Sequence, residues 1–229
     1  MNIDTHCHYD YFPKPESYIA EHEALGDIII GMTNCPIHYE MGKEHVCNYK
    51  HIRLALGFHP QMVSEIKDQI PLFRKYVDET SYIGEIGLDF SKQYQDTRDL
   101  QIQCLKQILK CLQGKKKIIS VHSRMAENEL LSLLEEYNIE NVIFHWYTGK
   151  LSTITNIIEH GYYFSINEAM TLSSSGQKII AKIPSNRLLT ETDAPFNRIC
   201  NIPNAIKNIG ITNKEIERNF YELIARIKK

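Results

Sequence analysis

The chain lacks any stretch approaching the roughly 18 consecutive apolar residues that a membrane span requires. It does not open with a basic region followed by an apolar run, and a cleaved leader would remove candidate ligands that begin at residue 4. A cytoplasmic location is therefore expected. Its six cysteines show no C-x-x-C spacing, and in a chain of this size without a leader free thiols are expected rather than a disulfide framework. A large excess of positive charge is also missing. The net charge of −2 excludes a broad surface that coats nucleic acid without specificity. It leaves a nuclease open, because metal ions in a carboxylate-lined cleft supply positive charge locally. The only basic run, Lys115-Lys116-Lys117, reads as a solvated helix-to-strand turn. There is no linker, low-complexity tract or internal repeat beyond a strand–helix period. Ser173-Ser174-Ser175-Gly176 is expected to start a helix or form a loop at the mouth of the fold.

What is present is an ordinary globular composition, with 43% hydrophobic and 24% charged residues among 229. That length fits one domain, residues 1–229, with a substantial core. Apolar, β-branched runs predict strands near 2–6, 27–32, 53–58, 82–88, 117–121, 142–145, 162–166 and 187–191. Between them lie helix-like segments. Near 97–113, Ile102, Leu105, Ile108, Leu109 and Leu112 recur at three- and four-residue steps, and Gly114 stands where a helix end is wanted. Leu130, Leu131, Leu133 and Leu134 give 125–137 a broad apolar face, and 213–227 carries Ile216, Phe220, Leu223, Ile224 and Ile227 with Thr212 or Asn213 as cap. Eight strands alternating with helices predict an α/β fold, a (β/α)8 TIM barrel. A doubly wound open sheet is the alternative, but it would disperse the strand ends along an edge.

The chemistry-bearing residues cluster at those strand ends. His6 and His8 in Asp4-Thr5-His6-Cys7-His8 are two apart, so on an extended strand both imidazoles project from one face as a ready pair of metal ligands. Later come Gly84-Glu85-Ile86-Gly87-Leu88-Asp89, Val121-His122-Ser123-Arg124, Phe144-His145-Trp146-Tyr147-Thr148-Gly149 and Glu191-Thr192-Asp193-Ala194-Pro195. Five such segments predict a metallohydrolase. A carboxylate between Gly84 and Gly87 has little reason to be there for packing. Asp193 has a competing use as a turn cap. His22, His38, His45, His51 and His160 fall away from the strand ends and read as surface residues. Cys104 and Cys111, seven apart on a predicted helix, read as packing residues.

Together with Gly57-Phe58-His59-Pro60, these segments resemble, in order, the TatD family of metal-dependent deoxyribonucleases, within the amidohydrolase-type barrels. The resemblance covers residues 2 to 196. Phe144 to Gly149, Tyr163 to Asn167 and the short chain are also similar to the TatD-like component of Qat anti-phage defence operons, which implies other proteins of such an operon as partners. The family resemblance implies two divalent cations, Mg²⁺, Mn²⁺ or Zn²⁺. His6, His8, Glu85 and Asp193 are expected to hold one, with Glu85 bridging to a second held by His122 and His145. It further implies hydrolysis of phosphodiester bonds, with DNA as partner, single-stranded by preference, in a 3′-to-5′ exonuclease mode. Asp193 is expected to orient or deprotonate water. His59 is expected to meet substrate phosphate or water. Arg124 is expected to bind phosphate, cap its helix or pair with Glu127. Trp146 and Tyr147 are candidates for base stacking, one of them exposed. Asp4, Asp89 and Glu191 are expected to orient imidazoles or brace loops.

Two departures from the family stand at the mouth. Phe90-Ser91-Lys92 follows Asp89 where the family often has tyrosines and an arginine, and a basic segment after Pro195 is shortened to Phe196-Asn197-Arg198-Ile199-Cys200. The same donors serve carbonyl chemistry, so an amidohydrolase or esterase acting on a small molecule or aminoacyl ester is the alternative. A nuclease subunit latent until operon partners bind is another.

Overall fold

The computed structural model describes residues 1–227. Among the described residues, nine parallel strands make up the sheets: β1 (Ile3–Cys7), β2 (Ile28–Gly31), β3 (Ile52–Leu54), β4 (Leu56–Phe58), β5 (Tyr82–Gly87), β6 (Ile118–His122), β7 (Val142–His145), β8 (Tyr163–Ile166) and β9 (Leu188–Thr190). All eight predicted strands are present. The third is cut in two at Ala55, because the Thr33 hydroxyl donates to the Ala55 carbonyl (2.9 Å) and accepts from the Gly57 N–H (3.0 Å). Its first half pairs with β2 and its second with β5, so one chain segment joins the two sheets. At the other seam β1 meets β9 through side chains and loops. Thr5 Oγ1 donates to the Thr190 carbonyl (3.0 Å), Asp193 N donates to the His6 carbonyl (2.9 Å) and His8 N donates to the Ala194 carbonyl (2.8 Å). The eight-strand circuit therefore closes as a (β/α)8 barrel.

Helices cover the barrel with the apolar faces their periodicity predicts. Arg98–Leu112 buries Leu105, Ile108, Leu109 and Leu112, with Ile102 only partly covered, and Gly114 (φ +74°) follows its end. Each fully buried Leu or Ile contributes about 1.5–3 kcal/mol. Glu127–Glu136 buries all four predicted leucines. It starts two residues later than its pattern implies because Met125 is left-handed (φ +56°) and cannot continue a helix. Asn213–Ile227 buries Ile216, Phe220, Leu223 and Ile224. Its start is a capping box: Thr212 Oγ1 accepts from Glu215 N (3.3 Å) and Glu215 accepts from Thr212 N (2.9 Å). Ser173 caps the helix Ser174–Ile180 by accepting from Gly176 N (3.0 Å), so the serine-rich run starts a helix. All six cysteines are free thiols; Cys104 is buried and Cys111 half-buried. Lys115 pairs with Asp78 (2.6 Å) and Lys117 donates to the Thr80 carbonyl (2.5 Å), which ties the basic run to the turn before β5. No helix among the described residues is long and apolar enough to cross a membrane.

Candidate metal centre and active site

Because every strand runs the same way, residues at the strand ends converge on one mouth. His6 lies in β1 and His8 just beyond it, Glu85 in β5, His122 and His145 at the last positions of β6 and β7, and Asp193 three residues past β9. The local sequence allows the approach. Gly87 has φ +140°, and a Cβ there would overlap the His122 carbonyl oxygen, so only glycine lets β5 lie this close to β6. Asp193 also takes a left-handed backbone (φ +54°), a conformation aspartate tolerates better than most residues.

Glu85 sits at the centre, 2% exposed, and its two oxygens divide the imidazoles between them. Oε2 lies 3.2 Å from His8 Nε2, 3.4 Å from His6 Nε2 and 3.3 Å from His59 Nε2. Oε1 lies 2.7 Å from His122 Nδ1 and 2.8 Å from His145 Nε2. Asp193 Oδ1 is 3.7 Å from both His6 Nε2 and His8 Nε2, and those two nitrogens are 3.2 Å apart. The His145 ring stacks on His6 with centroids 3.8 Å apart.

These separations fit cation binding. Ligands about 2.0–2.1 Å from a tetrahedral ion stand about 3.3 Å from one another. The His6–His8–Glu85 triangle has sides of 3.2, 3.2 and 3.4 Å. Two imidazole nitrogens in such contact can share at most one proton, whereas a shared cation engages both lone pairs. The groups that could hold an ion are His6–His8–Asp193, His6–Glu85–His145 and His59–Glu85–His122. Every expected ligand is therefore in the cluster, and His59 lies beside it, with Nε2 3.3 Å from Glu85 Oε2.

Surrounding residues orient the imidazoles. His6 Nδ1 meets Ser120 Oγ at 2.7 Å, which leaves Nε2 to face the centre. His122 Nε2 meets Asp89 Oδ2 at 2.9 Å, so this histidine presents Nδ1 instead. Asp89 is itself held by Gln61 Nε2 (2.7 Å) and Ser91 N (2.9 Å). Glu191 accepts from Ser165 and from Asn167 Nδ2 (2.9 Å) and lies 3.7 Å from His145 Nδ1. Asp4 accepts from Thr192 Oγ1 (2.6 Å), Thr192 N (3.0 Å) and His6 N (3.2 Å), bracing the Asp193 loop against β1. His59 behaves differently from the other imidazoles. Its Nδ1 accepts from Gln61 N (3.2 Å), so its ring proton sits on Nε2 and that atom is a donor toward the centre.

The electrostatics follow from burial and crowding. Burial alone would raise Glu85, but His59, His145 and the hydrogen bond from His122 outweigh it and hold the carboxyl well below its usual range. Burial would lower His122 and His145; their carboxylate neighbours outweigh it, raising His122 and raising His145 far more. Burial, helped by His145, keeps His6 well below its ordinary value. Burial pushes Asp193 up to about 7, with Glu85 and Glu191 adding to it and His145 opposing.

The mouth opens into a cavity of about 720 Å³. His59, Arg124 and Trp146 line it as expected. Arg124 neither caps the following helix nor pairs with Glu127, and no carboxylate among the described residues lies in ion-pair reach of it. Tyr147 does not line the cavity. It is 1% exposed, packs edge-on against Phe164 (5.5 Å) and donates to the Lys150 carbonyl (2.8 Å). The left-handed backbone at Trp146 (φ +34°) sends the two neighbouring aromatics to opposite sides, so the base-stacking role expected of Tyr147 is not available to it. Sequence reasoning missed Tyr11 and Phe196, both exposed at the rim. Phe196 lies edge-on to His8 (5.0 Å) and 5.1 Å from Tyr11. The available signals were their proximity to His8 and Asp193 in sequence and, for Phe196, its place in the altered segment after Pro195. The five histidines read as surface residues stay outside the centre; His22, His38, His51 and His160 approach nearby carboxylates.

A family model described as TatD related DNase matches residues 3–225. The chain belongs to that family. Among relatives of this TatD-family chain, mouse TATDN3 is 31% identical over 204 residues, 76% of this chain and 69% of the mouse protein. An uncharacterized metal-dependent hydrolase of Buchnera aphidicola is 28% identical over 221 residues, 85% of this chain and 81% of that one. The crystal structure of YjjV, a TatD homologue from Escherichia coli, shares the barrel with a TM-score of 0.83 at 24% identity, covering 99% of this chain and 97% of that chain. The chain is thus an enzyme, a metal-dependent hydrolase of TatD type.

Proposed function

We propose that this TatD-family barrel hydrolyses phosphodiester bonds of DNA, removing nucleotides from single strands in the 3′-to-5′ direction. The observation that carries the reading is the division of Glu85 between two imidazole groups. One carboxylate with Oε2 toward His6 and His8 and Oε1 toward His122 and His145 suits a bridge between two cations. His6, His8, Glu85 and Asp193 would hold one, and Glu85, His122 and His145 the other, whether Mg²⁺, Mn²⁺ or Zn²⁺. When bound, such ions supply Lewis-acid activation of water and of the phosphoryl oxygens.

The protein's own residues do the rest. Asp193, whose Oδ1 faces His6 Nε2 and His8 Nε2 at 3.7 Å, is placed to orient the attacking water and take its proton. Glu85 keeps the imidazoles in register. His59 Nε2–H donates toward the reacting phosphate, and Arg124 offers a fork to a phosphate oxygen. The balance is simple: one water is consumed, one P–O bond breaks, and a phosphomonoester and a hydroxyl form. The likeness of Phe144 to Gly149 and Tyr163 to Asn167 to the Qat component supports a role in anti-phage defence beside other operon proteins. Copurification with neighbouring gene products tests that part.

The enzymatic part is tested by stripping the protein with chelator and restoring Mg²⁺, Mn²⁺ or Zn²⁺ in turn. End-labelled single- and double-stranded DNA and RNA are offered beside an Asp193→Ala control. Metal-restored cleavage of single-stranded DNA, lost in the variant, is the expected result. Bound metal with no strand cleaved, but turnover of a nucleotide-free amide or ester, would overturn it.

A further inference from the structure

We propose that the site grips only the last one or two nucleotides of a strand, so that short oligonucleotides, down to a dinucleotide, are full substrates. This rests on the nuclease reading above. Three features of the mouth carry it. The cavity of about 720 Å³ has the size of a pocket for one compact ligand. Proteins that track a single strand line their groove with basic residues and place aromatic side chains at successive bases. Here Arg124 is the only lysine or arginine among the described residues lining the cavity, facing a centre that contains Glu85 and Asp193. One fixed cation can neutralise one phosphate beyond the scissile one, and the net charge of −2 adds no wider field.

The aromatic surface is also short: beside the half-buried Trp146, two exposed rings line the cavity. Phe196 is 56% exposed and Tyr11 is 40% exposed, and the two rings lie 5.1 Å apart on one side of the mouth. Tyr11 is fixed there by Asn34 Nδ2, which donates to its hydroxyl at 3.0 Å. Phe196 touches His8 at 5.0 Å between centroids. A base stacked on this pair therefore belongs to a nucleotide adjoining the scissile phosphate, and Arg124 meets the phosphate that flanks it. Phe196 stands in the short segment after Pro195, where the family resemblance implies a longer basic stretch; an aromatic platform replaces charge at that point.

The test compares the metal-loaded enzyme on a thymidine dinucleotide and on a single strand of about 20 nucleotides, between about 50 and 200 mM salt. The dinucleotide is expected to reach a kcat/KM within about tenfold of the long strand. The slope of log kcat/KM against log salt is expected near −0.7 to −1.4, the value for one or two phosphate contacts on a single strand. Phe196→Ala is expected to raise KM about 5- to 100-fold on both lengths with a smaller effect on kcat, and Phe196→Trp to restore it. A cleaved long strand with an inert dinucleotide and a slope of several would overturn the proposal while leaving the nuclease reading intact. An equal KM for Phe196→Ala and the parent enzyme would overturn the platform. Failure to cleave any phosphodiester at either length would remove the nuclease reading itself.

Discussion

Replacing Glu85 by glutamine keeps the shape of the side chain and removes the charge that five imidazoles face. In the chelated protein His122 and His145 are raised above their ordinary values, and Glu85 is held well below its own. The variant leaves those buried rings without their counter-charge. Breaking a buried pair from one side costs about 3–5 kcal/mol. A chain of 229 residues gains about 0.5 kcal/mol/K of entropy on unfolding, so that loss lowers Tm by about 6–10 °C. The sign depends on pH. A raised imidazole stabilises the fold below its unfolded-state pKa, and that contribution disappears as pH rises through the folded-state value. A depressed carboxyl stabilises above its unfolded-state pKa and fails as pH drops through the folded value. The gap between the chelated proteins is therefore widest from mildly acid to neutral pH and narrows in alkali. Calorimetric scans at several pH values measure it, with metal content of the untreated proteins determined in parallel. Equal Tm values near pH 6, together with full metal content in Glu85→Gln, would refute the central role given to this carboxylate.

Asp193→Asn retains a residue that tolerates the left-handed backbone and removes the proton acceptor; kcat is expected to fall about 10²–10⁴-fold with Tm little changed, read by single-strand cleavage and thermal denaturation. Burial raises Asp4 from 3.8 to about 7, so between those values the folded protein holds a proton that the unfolded chain has lost, and stability falls as pH rises through that window. Asp4→Asn removes the titration, and its Tm relative to the parent is expected to improve from pH 4 to about pH 7 and to level off above that in chelated samples. Metal must displace protons from His122 and His145, so affinity measured by calorimetric titration is expected to rise with pH and to release protons to buffer. Cys104→Ser touches a buried free thiol remote from the mouth, so cleavage should be unchanged even if Tm drops by a few degrees.

The barrel was legible because its evidence is periodic and local. Strand runs of four to six residues and the leucine steps of 98–112 and 127–136 state their own burial, and the ends of those strands coincide with the metal-seeking residues. The break at Ala55 was not legible, since it depends on where the Thr33 hydroxyl falls across the neighbouring strand. Individual site roles divide the same way. Spacing nominated His6 and His8 as a pair, strand-end position singled out Glu85, His122, His145 and Asp193, and the family resemblance joined them into one ligand set. Which nitrogen His122 presents depends on Asp89, and whether His59 donates or ligates depends on the Gln61 N–H, partners that no linear spacing reveals. Tyr147 and Trp146 make the limit plain. Adjacent aromatics in one motif were equivalent on paper, and a single left-handed φ assigns one to the core and the other to the mouth.

Closure of the barrel and assembly of the centre are one event at the β1–β9 seam. His6 and His8 come from the first strand and Asp193 from the loop after the last, 187 residues away in sequence from His6. The same segments are joined by Asp193 N to the His6 carbonyl, His8 N to the Ala194 carbonyl, and Asp4 to Thr192. Each ligand's position is thus fixed by the hydrogen bonds that close the circuit, and an ion held by both ends would clamp the seam in turn. A ligand that binds only the folded state at about 100 times its Kd adds about 2.7 kcal/mol of stability. Most of that stabilisation would be felt where the two ends meet, because β6 to β9 are already joined by regular backbone ladders. The mouth can therefore carry two left-handed non-glycine residues, Trp146 and Asp193, without loosening the scaffold: the local cost of about 1 kcal/mol for each is met by a barrel wall that does not depend on them.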